Sequence, residues 1–279
     1  MDEPIGLIAG GGQFPLLFAR AAREAGRRVV AIGHRGETDP GLETEVHILY
    51  WVKLGQLGRI IKCFHREQVR QTVFCGTITK TRIFRDVLPD LKGLVLWKKI
   101  DRHQDDAILR AVAGALEDEG IEVLPSTCYL KHLFFPRGIL SRKKPTSEQM
   151  DDIRFGWSIA REMGRLDIGQ CVVVRDRTVL AVEAIEGTDS AIRRGGELAG
   201  SGAVVVKLKK PGQDFRFDLP ATGLGTIETL AAVRGAVLAV EAGQSLVFDR
   251  EEMIRAADRA GLVVVGLNDE DLDLPGSGP

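Results

Sequence analysis

Ile5-Gly6-Leu7-Ile8-Ala9-Gly10-Gly11-Gly12-Gln13-Phe14-Pro15 joins a short apolar run to a triple glycine and the first turn of a helix. The run Ile5–Ala9 does not alternate polar with apolar residues, so it reads as a strand of a parallel sheet covered on both faces. After the glycines, Phe14, Leu17, Phe18, Ala21 and Ala25 share one helical face, and Gly26 closes it. Pro15 suits a first helical turn, where its missing N–H costs nothing. Val29–Ile32 is a second apolar run, and the unit is β–loop–α–β.

The pattern continues outward. Val46–Trp51 reads as a strand, Leu54–Phe64 as a helix, and Thr72–Cys75 as a strand ended by Gly76. Residues 104–119 are helical by period and precede the strand Ile121–Leu124. Residues 1–142 therefore form one Rossmann-like α/β domain with a doubly wound parallel sheet. Ser141-Arg142-Lys143-Lys144-Pro145 reads as a linker. Beyond it, Ser147 caps a helix to about Met163, and Arg175–Thr178 separates the strands Cys171–Val174 and Val179–Ala184 at hairpin spacing. Strands at Val204–Leu208, Ala236–Val240 and Leu262–Val265 alternate with helices near 189–199, 226–233 and 250–260. Residues 146–267 thus make a mixed α/β domain with at least one antiparallel pair. The acidic, Gly- and Pro-rich stretch 268–279 reads as a disordered tail.

At 279 residues, two domains are the better expectation, each long enough to bury its own core. A net charge of −1 argues against bulk capture of nucleic acid. Cys63, Cys75, Cys128 and Cys171 lack the spacing of a zinc site or a disulfide framework, which fits a reducing, cytoplasmic setting. The residues Met1–Pro4 carry no basic segment and lead into no long apolar run, so neither signal peptide nor membrane span is expected.

The glycine turn tempts a dinucleotide reading, which fails in detail. Proline stands where the third fingerprint glycine belongs, and Ile32 is followed by Gly33, His34 and Arg35 rather than by a ribose-binding acid. What remains is a turn packed for its own sake, or contact with a phosphate or sugar at the helix N-terminus. In the second half three polar segments interrupt apolar strands: 167–170, 183–189 and 213–226. A diphosphate under attack by water needs its charge neutralised, which Mg²⁺ does when held by one or two carboxylates and substrate oxygens. Asp218 follows a Phe215/Phe217 alternation and precedes the strand-stopping Pro220, a position at a strand's C-terminal mouth. Gly223 and Gly225 then free a loop to face phosphate, and Thr226 starts a helix. Each feature has a plainer explanation. Thr188 or Asp189 caps the next helix, Asp214 pairs with Arg216, and Glu183 and Glu186 are solvated strand ends. The basic run Lys92, Lys98, Lys99, Arg102 and His103 is a solvated helix face or meets anionic head groups. Asp105 favours a helix dipole or binds metal. The residues alone lead to a phosphate-handling α/β enzyme.

Taken together, the segments 6–15, 167–170, 181–189 and 210–220 resemble the UDP-2,3-diacylglucosamine pyrophosphatases that some bacteria use in lipid A synthesis in place of the calcineurin-like enzyme. The similarity runs in order through nearly the whole chain. It implies hydrolysis to 2,3-diacylglucosamine 1-phosphate (lipid X) and UMP, with Mg²⁺ or another divalent cation as cofactor. The aspartate of the family's Asp-x-Pro segment maps onto Asp218, which is then the catalytic residue, binding the cation or orienting the water. Glu186 and Asp189 are the next metal candidates. Gly11, Gly12, Gln13 and Thr188 are expected at the sugar phosphate, Arg194 and Lys210 at the diphosphate, and Gly223 and Thr226 in the phosphate loop. Where the family often has Val-Gly-Pro, this chain has Thr222-Gly223-Leu224, which puts loop contacts there in doubt. The resemblance brings in UDP-2,3-diacylglucosamine and lipid X as partners, peripheral contact with the inner-membrane surface from the cytoplasm, and no nucleic acid. A homodimer is expected only because it is the commonest assembly. The rival readings are an NAD(P)-linked nucleotide-sugar oxidoreductase and a non-catalytic carrier of the lipid nucleotide.

Overall fold

The computed structural model describes residues 3–78, 89–94, 105–217 and 219–273, with backbone alone at 105–107. Asp218, Lys98, Lys99, Arg102, His103 and the side chain of Asp105 lie outside the described residues. The chain divides into two units, one of residues 1–131 with 214–218, the other of 132–213 with 219–279.

In the first unit, β1 (Pro4–Ala9), β2 (Arg28–His34), β3 (Ile48–Val52), β4 (Gln71–Cys75) and β5 (Glu122–Val123) form one sheet in the order β3-β2-β1-β4-β5. Every pairing is parallel. Such strands need covering helices on both faces. Those described are α1 (Phe14–Glu24), α2 (Leu42–Glu45), α3 (Leu57–Arg66) and α4 (Asp105–Glu117). Ile8, Val30, Ile32, Phe64 and Leu116 centre the core. β2 runs two residues past Ile32, because Gly33 and His34 stay in register with Trp51 and Val52.

The second unit holds β6 (Gly138–Ile139), α5 (Ser147–Arg165), β7 (Cys171–Arg175), β8 (Thr178–Val182), α6 (Thr188–Ala199) and β9 (Val204–Lys207). It continues with β10 (Ala221–Thr222), α7 (Leu224–Ala232), β11 (Val237–Glu241), β12 (Leu246–Val247), α8 (Arg250–Ala260) and β13 (Val263–Leu267). Six strands make a mixed sheet in the order β6-β13-β11-β9-β7-β8, and β10 pairs with β12 separately. β9, β11 and β13 are parallel, whereas β7 runs antiparallel to both β8 and β9. The β7–β8 hairpin turns on Asp176 and Arg177, both at positive φ, as a type I′ turn requires. Their N–H groups donate to the buried carboxylate of Asp152 at 3.1 and 2.6 Å.

Several sequence expectations are corrected. The cap of α5 is Thr146, whose hydroxyl accepts from Gln149 N while the Gln149 side chain accepts from Thr146 N, rather than Ser147. The units change over at Lys131/His132, ahead of the basic 141–145 stretch, because Gly138–Ile139 already pairs with β13. Asp214–Phe217 is a turn and not a strand: Phe217 N donates to Asp214 O, and Asp214 Oδ1 accepts from Arg216 N. Phe217 is buried against Phe74, ring centroids 5.5 Å apart and edge to face. Burying one such ring stabilises by roughly 2–3 kcal/mol, which ties this segment to the first unit's core. Of the expected tail 268–279, residues 268–273 form a turn and 274–279 lie outside the described residues. Asn268 caps a 3₁₀ turn, Leu272 is buried, and Asp269 accepts from Trp157 Nε1 at 2.8 Å and Arg161 at 2.5 Å.

Candidate active site

In the first unit the glycine turn is shaped by close packing. Gly10 N donates to Cys75 O, and Gly11 exchanges both backbone hydrogen bonds with Thr77. A Cβ at Gly10 would lie 2.5 Å from Thr77 O, and one at Gly76 would lie 2.4 Å from Gly11 O. Two turns pass so closely here that only glycine fits. Gly12 differs: at φ +82° it has nothing within 4 Å of its Cβ position. It borders a cavity of about 610 Å³ at the C-terminal ends of β1–β3, lined also by Arg35, Glu37, Thr38, Asp39 and Trp51. Open parallel sheets bind ligands at this end. Gln13 is the N-cap of α1, without a side-chain capping bond.

In the second unit, polar side chains gather where β8 and β9 end and α6 and α7 begin. Lys207 ends β9 only 4% exposed, and its Nζ donates to Ala221 O at 2.7 Å. Glu183, just past β8, is 7% exposed; its Oε1 accepts from Thr188 Oγ at 3.0 Å, and its Oε2 is buried without a hydrogen-bond partner. Burial raises the Glu183 carboxyl above the usual carboxylate range, while Lys207 and the Thr188 hydroxyl pull the other way. Thr222 Oγ and Gln170 Oε1 are buried without partners as well. The Asp-Ile-Gly-Gln segment owes its glycine to this corner, since a Cβ at Gly169 would fall 2.0 Å from Glu183 O. Buried Cys171 is pushed up to about 12 by burial and then by Glu183, so it stays a thiol.

Neither Thr188 nor Asp189 caps α6. The N-cap is Gly187 at φ +84°, with no side-chain capping bond; the Thr188 hydroxyl goes to Glu183, and Asp189 sits in the first turn. α7 begins after extended Gly223, whose carbonyl accepts from Thr226 N and Ile227 N, and Thr226 is buried. Its first-turn donors are then the N–H groups of Leu224 and Gly225, at the positive end of the helix.

Other expected site residues are engaged with one another. Glu186 pairs with Arg194 at 2.8 Å and accepts from Ala184 N at 3.1 Å. These bonds hold the Glu186 carboxyl below its ordinary value, a backbone N–H contributing most and Arg194 next. Arg194 also donates to Val182 O. Lys210 Nζ pairs with Asp167 at 2.6 Å. Asp214 takes the Arg216 fork, which also reaches Glu117 at 2.9 Å. Lys92 pairs with Glu119.

Among the described residues no group of three or more His, Cys, Asp or Glu side chains is placed to hold a metal ion. Mg²⁺ against a diphosphate needs fewer, one or two carboxylates plus phosphate oxygens and water. The free Glu183 Oε2 and the Asp189 carboxylate are hard oxygen donors of that kind, so the residues present fit the ion. Sequence reading overlooked Lys207, although a lysine closing the run Val204-Val205-Val206 was its signal.

A family model described as the LpxI N-terminal domain matches residues 4–133, and one described as the LpxI C-terminal domain matches residues 136–265. The UDP-2,3-diacylglucosamine pyrophosphatase LpxI of Caulobacter vibrioides is 38% identical over 278 residues, covering 96% of this chain and 98% of that protein. Among solved structures, the leucoanthocyanidin reductase–NADPH complex from Vitis vinifera aligns with a TM-score of 0.28 at 17% identity, over 53% of this chain and 41% of that one. That last likeness is too slight to bear on fold or function.

Proposed function

The chain belongs to the LpxI family and hydrolyses the pyrophosphate bond of UDP-2,3-diacylglucosamine in lipid A synthesis, and we propose that Lys207 and Glu183 handle the diphosphate. The observation that carries this assignment is a buried lysine within electrostatic reach of a buried carboxylate that has an unused oxygen and is held by the first residue of α6. Buried polar groups left without partners are expensive, and a bound substrate that satisfies them accounts for their retention.

In this reading water adds to the uridylyl phosphorus, the bond from that phosphorus to the bridging oxygen breaks, and lipid X departs with the oxygen. Lys207 keeps one N–H on Ala221 O and has two left to offset phosphate charge as it shifts in the transition state. The first-turn N–H groups of α7, after Gly223 and with Thr226 behind them, add fixed partial positive charge. Arg194 and Lys210, already matched by Glu186 and Asp167, shape the loops around the phosphates. Thr188 holds Glu183 and so sets where the free oxygen points. Asp218 orients the attacking water or binds the cation. Asp189 and Glu183 are the described carboxylates offered to Mg²⁺, with Glu186 committed to Arg194. When bound, Mg²⁺ neutralises the diphosphate and polarises its oxygens. Within the first unit, the cavity beside Gly12 offers a ring face from Trp51 and a carboxylate acceptor from Asp39. Contact with the inner membrane is peripheral in this reading; no described helix is long and apolar enough to cross a membrane.

The test is UMP release from UDP-2,3-diacylglucosamine by the native chain and by Asp218→Asn, each with Mg²⁺ and with chelator. A loss of at least about a hundredfold in the variant is expected. Near-full turnover would remove Asp218 from the chemistry, and full turnover in chelator would remove the cation.

A further inference from the structure

The second sheet has another pole, where β11 and β13 start rather than end. Among the residues bordering a cavity of about 470 Å³ there are Lys143, Lys144 and Arg234, together with Thr146 and Gln149 at the start of α5, over a floor of Ala236, Leu262 and Val263. No carboxylate lines it. The acids nearest in sequence are already engaged, Asp258 by Arg142 and Glu148 by the Thr146 hydroxyl. Among the described residues none pairs with Lys143, Lys144 or Arg234.

Helix electrostatics explains part of this. Arg234 follows the C-terminus of α7, and Lys143 Nζ lies 3.1 Å from the Cβ position of Gly261, the C-cap of α8, so both cations sit near carbonyl ends. Two facts go further. Lys144 lies two residues before the Thr146 cap of α5, at the positive end of a helix, where the dipole disfavours it. Arg234 adopts φ +53°, a conformation that is cheapest for glycine or asparagine at a helix end. Three cations converging on one concave surface without counter-charge make a receptor for a multivalent anion.

We infer that this cavity binds a phosphate-bearing anion, a phosphomonoester or phosphodiester group, at a site separate from the one that hydrolyses the substrate. The group comes either from a soluble phosphate or from an anionic phospholipid head, and the same three side chains recognise both. The inference does not rest on the proposed reaction and fails independently of it.

The test compares the native chain with a Lys143→Gln/Lys144→Gln/Arg234→Gln variant. Amide resonances of Gly235 and Gly261 are followed while inorganic phosphate is added at constant ionic strength. In parallel, sedimentation is measured with phosphatidylcholine vesicles, with and without about one third phosphatidylglycerol. Saturable shifts in the native chain, weakened at least about tenfold in the variant, are expected, with hydrolysis of detergent-dispersed substrate unchanged. If the variant also loses sedimentation with the anionic vesicles, the natural source is a lipid head group. If sedimentation is the same in both proteins, the source is a soluble phosphate. Loss of sedimentation in the variant without phosphate shifts in the native chain also supports the site, as one that needs the head group. A variant that binds both probes like the native chain overturns the inference. So does a native chain that shows neither shifts nor variant-sensitive sedimentation, with the variant merely melting earlier, for the cations would then only cap helix carbonyls.

Discussion

The Thr188 hydroxyl donates to Glu183 Oε1 at 3.0 Å, so the first residue of α6 fixes a buried carboxylate instead of closing its own helix. The helix is left with Gly187 at its N-cap and first-turn N–H groups that no capping side chain covers. Stability is given up at the helix end, and a defined position for Glu183 is gained.

Glu183→Gln is expected to raise thermal stability while lowering turnover. The folded-state pKa of Glu183 is raised, so its carboxyl binds a proton more tightly folded than unfolded. Its contribution to stability is therefore full below the unfolded value and is lost as pH rises through the folded one. At neutral pH the charged group is a liability, and the amide still accepts from Thr188. A gain in stability is expected at pH 7, fading towards pH 4. Melting curves at both pH values, set beside kcat, check it. A variant less stable than the native chain at pH 7 contradicts this account.

Thr188→Val separates positioning from packing. The shape is kept, the donor is lost, and the Glu183 carboxyl should rise further, because its Thr188 bond is one of the interactions that lower it. The ascending, acid-side limb of the pH–rate profile should move to higher pH, with KM little changed. A merely structural role would leave the profile in place.

Lys207→Met keeps the apolar stem within β9 and removes the charge. Its Nζ bond to Ala221 O is lost, a cost of about 1–3 kcal/mol for the orphaned carbonyl. The fold should survive, while kcat falls about a hundredfold or more. Lys207→Arg should not rescue it, since a planar fork does not fit a site cut for a compact ammonium. Equal kcat in the methionine variant and the native chain would leave Lys207 a structural residue.

How much of this was legible in the sequence depends on which physical signal each residue carries. The first sheet was readable because its strands are unbroken apolar runs, too short for helices, rich in Val and Ile and bounded by glycine. Its boundaries were not, because Gly33 and His34 belong to β2 by backbone register with Trp51 and Val52, which side-chain hydropathy does not report. The Phe215/Phe217 alternation imitated a strand; its period of two comes from one ring buried on Phe74 in a turn. Composition likewise misled at 268–273, where acids and polar residues are held by Trp157, Arg161 and Arg137. Nothing in the sequence marks Glu183 or Lys207 as buried, since burial of a charge is a tertiary property.

The segment after β13 should matter to stability. Leu272 is 1% exposed, and Asp269 receives both Trp157 Nε1 and Arg161, which also reaches Glu241 at 3.1 Å. Leu272→Ala should cost about 2–5 kcal/mol, the range for truncating a buried leucine. A denaturant midpoint lowered without change in slope checks it. An unchanged midpoint would return this segment to the disordered class.

Acid should weaken the first unit before it weakens the second, through His34. The imidazole is 6% exposed, its Nδ1 is buried without a partner, and burial lowers its pKa to about 4. A histidine whose folded pKa lies below its unfolded value of 6.5 resists protonation only while folded. The unfolded chain binds more protons between those two values, so stability falls as pH drops through that window. The full difference is on the order of 3 kcal/mol, because each tenfold change in proton affinity is worth about 1.4 kcal/mol. Neither backbone bond at this corner, His34 N to Thr38 Oγ at 2.9 Å and Thr38 Oγ to Ala9 O at 2.6 Å, depends on the ring. His34→Gln should therefore flatten the pH dependence of melting between pH 6.5 and 4 while leaving β2 paired. Native and variant curves that stay parallel across that range would assign the acid sensitivity to carboxylates instead.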